Sequence, residues 1–355
     1  MSAPLVSIVV PVYNTRAYLE ECLASACAQT LRDIEIVCVN DGSTDGSDEL
    51  LHRIAADDER IKVIDKENGG LSSARNAGLA AACGTYIMLL DSDDLLVPQA
   101  CEAVVRRFDE THADIVTFGA TCFPEEAASA RLRACLSPRD ALYRPFDERL
   151  LFDEESRPYA CRSAFRREFL EACGLRFDES LRFGEDQPFY FSAYPQAGAV
   201  ALMSDKLYRY RVSSAESLTG AVADDAARRV GLHIDVAICI LEEWSARGWF
   251  ERFGWRTLGW LVEFVALDLY GLPDAERAPL QERYGSALRA ALAQVDLAAT
   301  GLGPQTRALL RNLMGPADAP APGRLAIYRF YLERRGLAQC AKRALEGLAE
   351  RGRRG

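Results

Sequence analysis

No run of apolar residues in this chain approaches the roughly 20 needed to cross a bilayer. It has no CxxC pair and no His cluster to suggest a zinc knuckle or a dithiol redox centre. Positive charge is not in excess either: the formal net charge is -10 over 355 residues, whereas phosphate-backbone binding needs a basic face, so nucleic acid is excluded as the main partner. The eleven cysteines are odd in number and scattered, as in a reducing compartment where residues such as Cys22, Cys38 and Cys101 serve as small core hydrophobes. The opening "MSAPLVSIVV" lacks a basic n-region and runs straight into a strand pattern, unlike a secretory signal. The expected location is the cytoplasm.

What is present is an alternation. "LVSIVVPV" (Leu5 to Val12), "IEIVCVN" (Ile34 to Asn40), "IKVID" (Ile61 to Asp65) and "TYIMLLD" (Thr85 to Asp91) are near-continuous apolar runs, as expected of strands buried on both faces. Between the first two, Leu19, Cys22, Leu23 and Ala26 recur at helical spacing. "LSSARNAGLAAA" is rich in Ala with one Gly, which suits a helix packed closely on a sheet, and a further helix is expected from Pro98, leading to a strand "DIVTFGA". A βαβαβ order of this kind implies an α/β fold with a mostly parallel sheet, whose ligands sit beyond the carboxyl ends of the strands. Residues 147–219 read as irregular, and from Asp224 to Leu313 the pattern becomes helical.

The polar groups fall where such a fold needs them. Tyr13 and Asn14 follow the first strand, "DGSTDGS" from Asp41 the second, "NGG" from Asn68 the third, and "DSDD" (Asp91 to Asp94) the fourth. The first turn, "PVYNTRAY", has no glycine, so the GxGxxG of a dinucleotide-binding dehydrogenase is missing. Asp91 and Asp93 are two apart and, in an extended segment, point to one side; hard cations such as Mg²⁺ or Mn²⁺ take one or two carboxylates plus substrate phosphates. Asp94 reads as the cap of the next helix. Asp41 could accept the imide N–H of a pyrimidine and Tyr13 could stack on that base, although "DGSTDG" is equally a good turn and Tyr13 equally a packing residue. Arg75 lies near the start of a helix, where the dipole also favours an anion; a solvated helix arginine is the plainer alternative.

Together "SIVVPVYNTRAYLEECLASACAQTL", "IEIVCVNDGSTDGS", "ENGGLSSARNAGLAAACGTYIMLLDSDD" and "GEDQPF" resemble the family 2 inverting glycosyltransferases of the GT-A fold, closely over residues 5–110 and more loosely to about 220. The resemblance implies transfer of a sugar from a nucleotide-sugar donor, usually a UDP-sugar, to a hydroxyl with inversion, assisted by a divalent metal (Mn²⁺ or Mg²⁺). It puts Tyr13 and Asp41 at the base, with Pro11 and Val12 lining that pocket, and Arg75 near base and phosphates. Asp93 becomes the direct metal ligand and Asp91 a ligand of ribose or metal. Asp186 becomes the catalytic base, Glu185 an acceptor-positioning group, and Arg211 a diphosphate contact. The segment "YACRSAFRREFL" departs from the family in having Tyr and Arg where many relatives carry a Trp before an N-K-L-Y-R type stretch, which leaves the acceptor open.

The expected organisation is a GT-A domain over 1–220, with a nucleotide-sugar part to about 110 and an acceptor part over 111–220. A helical region over 221–314, a linker "GPADAPAPG" over 315–323 and a basic terminal helix over 324–355 follow. That last segment holds nine Lys/Arg against three Asp/Glu. Its stripe of Leu337, Ala341, Ala344, Leu345 and Leu348 could lie on anionic lipid beside a polyprenyl-linked acceptor, but ordinary packing on the preceding helices is preferred, because the apolar face is narrow; a saccharide is the other acceptor class. Two alternatives stand beside the transferase. A scaffold without activity is disfavoured by intact Asp41, Asp91, Asp93 and Asp186. A DxD phosphatase is disfavoured because its motif belongs on the first strand and needs Thr or Val where Leu95 stands.

Overall fold

The computed structural model describes residues 3–157, 159–212, 225–316 and 320–337. The chain divides into two compact units, Met1–Ser217 and Leu218–Gly355.

Among the described residues the first unit is built on one mixed sheet of nine strands. β1 (Val6–Val12), β2 (Ile34–Asn40), β3 (Ile61–Asp65) and β4 (Tyr86–Leu89) are parallel neighbours in the order β3-β2-β1-β4. β5 (Leu95–Leu96), β6 (Ile115–Phe123), β7 (Ala141–Tyr143), β8 (Ser163–Arg166) and β9 (Val200–Arg211) complete it. β8 enters antiparallel between β4 and β6, β6 pairs parallel with β9, and β5 and β7 pair antiparallel with β9. Six of the nine strands therefore run in one direction, so the sheet is mostly parallel.

Every residue of β1 and β2 is buried, as their unbroken apolar sequences demand. β3 differs from expectation: it is the sheet's edge, and only Ile61 of its five residues is fully buried. Helices α1 (Arg16–Cys27), α2 (Ser47–Asp57), α3 (Leu71–Ala81) and α4 (Ala100–Thr111) cover the sheet. α1 buries Leu19, Cys22, Leu23 and Ala26, the four residues of the helical stripe. α3 lies so close to the sheet that a Cβ on Gly78 would stand 2.3 Å from Val9 Cγ1; only glycine allows that approach. α4 starts two residues after the expected Pro98.

Residues 147–219, which read as irregular, carry β8, β9 and the helix Asp186–Gln196. β8, four residues long, is specified by pairing with β4 and β6 rather than by its own periodicity, which is why the sequence conceals it.

The second unit is helical by itself: Ala226–Ala246, Trp249–Phe253, Arg256–Tyr270, Asp274–Ala291 and Pro304–Leu313, then residues 324–337. Trp244, Trp249 and Phe250 form one buried aromatic cluster. Glu333 accepts the N–H groups of Gln305 and Thr306, both at 2.9 Å, and so caps the helix Pro304–Leu313 with charge of the favourable sign. Among the described residues no helix is long and apolar enough to cross a membrane. The lipid-facing stripe suggested for the terminal helix lies, beyond Leu337, outside the described residues, as do positions 317–319 of the expected linker.

Candidate active site

The four turns after β1 to β4 are stitched together by their own side chains. Asn14 adopts a left-handed φ of 53°, and its Oδ1 accepts the Thr44 N–H at 2.8 Å. Thr15 Oγ1 donates to Ser92 Oγ at 2.9 Å, tying the first turn to "DSDD". Asp41 N–H donates to the carbonyl of Val12 at 2.9 Å.

The Asp41 carboxylate joins the second turn to the third. Oδ1 accepts from Lys66 Nζ at 2.6 Å and Gly69 N–H at 3.0 Å, and Oδ2 accepts from Gly70 N–H at 2.8 Å. Gly70 holds φ of 90°, a conformation that favours glycine, and its N–H thereby points back at Asp41 from the start of α3. Asp41 is buried, whereas Tyr13 is 50 % exposed: its ring is a free face beside the turn. Pro11 and Val12 are the buried end of β1.

Arg75 is not a solvated helix arginine. It is 2 % exposed, and three carboxylates surround it. Nη1 donates to Glu185 Oε1 at 2.8 Å and Asp186 Oδ1 at 2.9 Å, and Nη2 donates to Asp91 Oδ1 at 3.0 Å. The guanidinium also lies 5.1 Å from the centre of the Phe177 ring. Burial alone disfavours its charge, but Asp91, Asp186 and Glu185 outweigh it and lift the pKa further above its ordinary value. With both terminal nitrogens engaged, Arg75 gathers the carboxylates rather than presenting a free edge to a phosphate.

Glu185 immediately precedes, and Asp186 begins, the helix Asp186–Gln196. Asp186 Oδ2 accepts the Ala160 N–H at 3.0 Å. Burial raises the pKa of Asp186; Arg75 opposes the rise, while the charges of Glu185 and Asp91 add to it. The side chain keeps 18 % of its surface exposed, and that of Asp91 keeps 26 %, so both can meet a ligand.

Asp94 does not cap the following helix. β5 intervenes, α4 has Gln99 at its N-cap without a side-chain cap bond, and the Asp94 carboxylate turns inward to accept Tyr208 Oη at 2.7 Å and the Arg211 N–H at 2.6 Å. Tyr208 Oη in turn accepts the Asp91 N–H at 3.2 Å. The strand β9 thus fixes the aspartate turn from the side. Arg211 Nε donates to the Asp93 carbonyl at 2.7 Å, its guanidinium pairs with Glu21, and Tyr18 and Phe123 flank it with ring centres 4.6 and 4.3 Å away. Burial first, then the charge of Asp91, pushes Asp93 up to about 6; burial and both neighbouring aspartates raise Asp94 well above the carboxylate range. Ligand atoms of Asp91, Asp94 and Cys161 lie within 4.8 Å of one another, whereas Asp93 is not part of that trio. A cavity of about 400 Å³ lined by Arg139, Tyr143, Arg144, Phe146 and Arg149 shares no residue with this site.

Residues 7–174 match the model of glycosyl transferase family 2. The first unit carries a family 2 glycosyl transferase domain. Among curated proteins the chain is similar to "Uncharacterized glycosyltransferase EpsJ" of Bacillus subtilis (strain 168), 42 % identical over 213 residues, covering 59 % of this chain and 61 % of that protein. "Putative glycosyltransferase EpsH" of the same organism is 37 % identical over 215 residues, covering 60 % and 62 %. The chain therefore spans less than two thirds of the length of these relatives. Among solved structures, that of S. aureus TarS 1–349 in complex with UDP superposes with a TM-score of 0.63 at 20 % identity, over 87 % of this chain and 88 % of that one. The fold is thus the α/β GT-A type with a helical C-terminal region.

The sequence places Tyr13, Asp41, Arg75, Asp91 and Asp93 at the strand ends, and the resemblance adds Glu185, Asp186 and Arg211. All of them lie in or beside the turns described, and Asp91, Glu185 and Asp186 meet on a single guanidinium. Neither points to Tyr208 or Cys161, which no local motif marks.

Proposed function

We propose that the chain is an inverting glycosyltransferase, moving a sugar from a nucleoside diphosphate donor, a UDP-sugar, to a hydroxyl of a saccharide or lipid-linked acceptor. The observation that carries the reading is the Arg75 bridge, which joins the aspartate of the donor-side turn, Asp91, to Asp186 on the opposite element. A transferase of this type needs both groups: one beside the leaving diphosphate and one beside the attacking hydroxyl.

In this reading Tyr13 offers its exposed ring to the base. Asp41 Oδ2, bonded to Gly70 N–H, accepts the imide N–H, with Pro11 and Val12 as the floor below. Asp91 and Asp93 suit a hard divalent cation in their chemistry, since both are carboxylates on one turn with part of their surface open. Such a cation, Mn²⁺ or Mg²⁺, supplies Lewis-acid stabilisation of the charge that develops on the diphosphate. Arg211, held against Asp93, adds a second positive group at that end. Asp186 takes the proton of the acceptor hydroxyl as it attacks the anomeric carbon. The raised pKa makes Asp186 a stronger base than an ordinary carboxylate, and Arg75 and the Ala160 N–H fix its direction. Glu185 stands beside it at the acceptor. A single displacement through an oxocarbenium-like state inverts the anomeric centre without an enzyme nucleophile.

The test is calorimetric titration of UDP in Mn²⁺ and again in EDTA, followed by a screen of UDP-sugars with NMR assignment of the product anomer. Metal-dependent binding and an inverted product are expected. Silence of UDP, GDP and dTDP alike would remove the reading and leave a scaffold without activity.

A further inference from the structure

Cys161 lies in the 3-10 turn Ala160–Arg162, next to the residue whose N–H holds Asp186. It is a free cysteine, 3 % exposed, and among the described residues no hydrogen bond reaches its sulfur. A buried thiol is ordinarily a small hydrophobe among apolar neighbours. Here Sγ lies within 4.8 Å of a carboxylate oxygen of Asp91 and of Asp94, and those two oxygens lie within the same distance of each other. Two carboxylates at that separation in a buried setting repel unless a proton or a cation comes between them.

A cation in place of a proton would meet the same need. Ligand atoms on a tetrahedral ion with bonds of about 2.0–2.3 Å lie about 3.5 Å apart, so the trio needs to close by no more than about 1 Å. Both carboxylates are already oriented from behind, Asp94 by Tyr208 Oη and the Arg211 N–H, Asp91 by Arg75 Nη2. Hydrogen bonds of this outer kind aim metal ligands. The exposed edge of Asp91 leaves a fourth position for water or an anionic oxygen, the pattern of open three-ligand sites.

We propose that Asp91, Asp94 and Cys161 form a three-ligand site for a thiophilic divalent cation of the Zn²⁺ class. The thiol proton leaves to solvent as the sulfur binds, and Asp93 is not a ligand of this position. Because Asp91 is shared with the donor-side cation, an ion held here competes with Mg²⁺ or Mn²⁺ for the turn. That consequence rests on the transferase reading; the ligand set does not.

The probe is Cd²⁺, added to the full chain after chelator and reductant treatment and without nucleotide, and the readout is the ultraviolet thiolate-to-cadmium charge-transfer band. The ten other cysteines give a background, so the difference between wild type and Cys161→Ser is what counts. The expected result is a tight phase in the wild type that is absent from Cys161→Ser, and an affinity about tenfold or more weaker in Asp94→Asn. An unchanged tight phase in Cys161→Ser overturns the proposal; if that variant does not fold, an unchanged affinity in Asp94→Asn does. A tight phase in a protein that binds no UDP would count against the transferase reading and leave this one standing.

Discussion

Arg75 donates to Asp186 across 2.9 Å although 111 residues separate them in the chain. With the same side chain bound to Asp91 and Glu185, one guanidinium sets the relative position of the aspartate turn and the start of the helix Asp186–Gln196. Removing it leaves three carboxylates without their common cation, and breaking a buried ion pair from one side costs about 3–5 kcal/mol. Arg75→Met should therefore lose stability on that scale in urea denaturation near neutral pH. Arg75→Lys, which keeps the charge but not the fork, should fall between. A loss under about 1 kcal/mol for Arg75→Met would mean that the cluster is held by its backbone alone.

Asp186→Asn separates the two roles of that carboxylate. Transfer should fall by about 10²–10⁴ while UDP still binds. Stability should move the other way. A carboxyl whose pKa is raised in the folded protein stabilises most below the ordinary carboxylate range, and that contribution is lost as pH rises through the folded value. Wild type should then be less stable than Asp186→Asn at and above neutral pH, with the gap narrowing as pH falls toward 4. A pH-independent gap would show that Asp186 is ionised throughout.

Asp93 gives a similar test with a defined window. Its pKa of about 6 lies above the ordinary carboxylate value of about 4, so the apo protein loses stability relative to Asp93→Asn as pH rises from about 4 to about 6. The difference should level off above that. Divalent-cation affinity should follow the opposite course in wild type, rising over the same window as the carboxylate ionises. Thermal melts and Mn²⁺ titrations across the window read both; parallel melting curves for the two proteins would remove the raised pKa.

Much of this was legible in the sequence because parallel strands buried on both faces write themselves as apolar runs, and their ligand-binding turns follow at once. β2 and the buried face of α1 occupy the residues that the pattern marks. Asp94 was misjudged because β5, two residues long, has no periodicity of its own and is specified by pairing with β9; without it, an aspartate ahead of a helix looks like a cap. The partners of Arg75 were illegible for another reason. Glu185 and Asp186 lie beyond 110 residues of intervening chain, and only the folded sheet brings them to α3. Tyr208 and Cys161 carry no motif, since their meaning comes wholly from the aspartates they face.

Tyr13 is the residue whose role can be tested with least disturbance to the fold. It is half exposed at the end of a strand that is otherwise buried, so its ring contributes little to the core and its removal should leave thermal stability unchanged. If the ring stacks on the donor base, Tyr13→Ala should weaken UDP binding by about 0.5–1.5 kcal/mol, the range for aromatic pairs beyond area burial, which is roughly a 2- to 13-fold rise in dissociation constant. Tyr13→Phe, which keeps the face and loses only the hydroxyl, should bind as wild type does. The comparison also distinguishes stacking from a hydrogen bond through the phenol, because the latter would make Tyr13→Phe as weak as Tyr13→Ala. Equal affinity in all three proteins would place the base elsewhere along the strand ends and remove Tyr13 from the donor site.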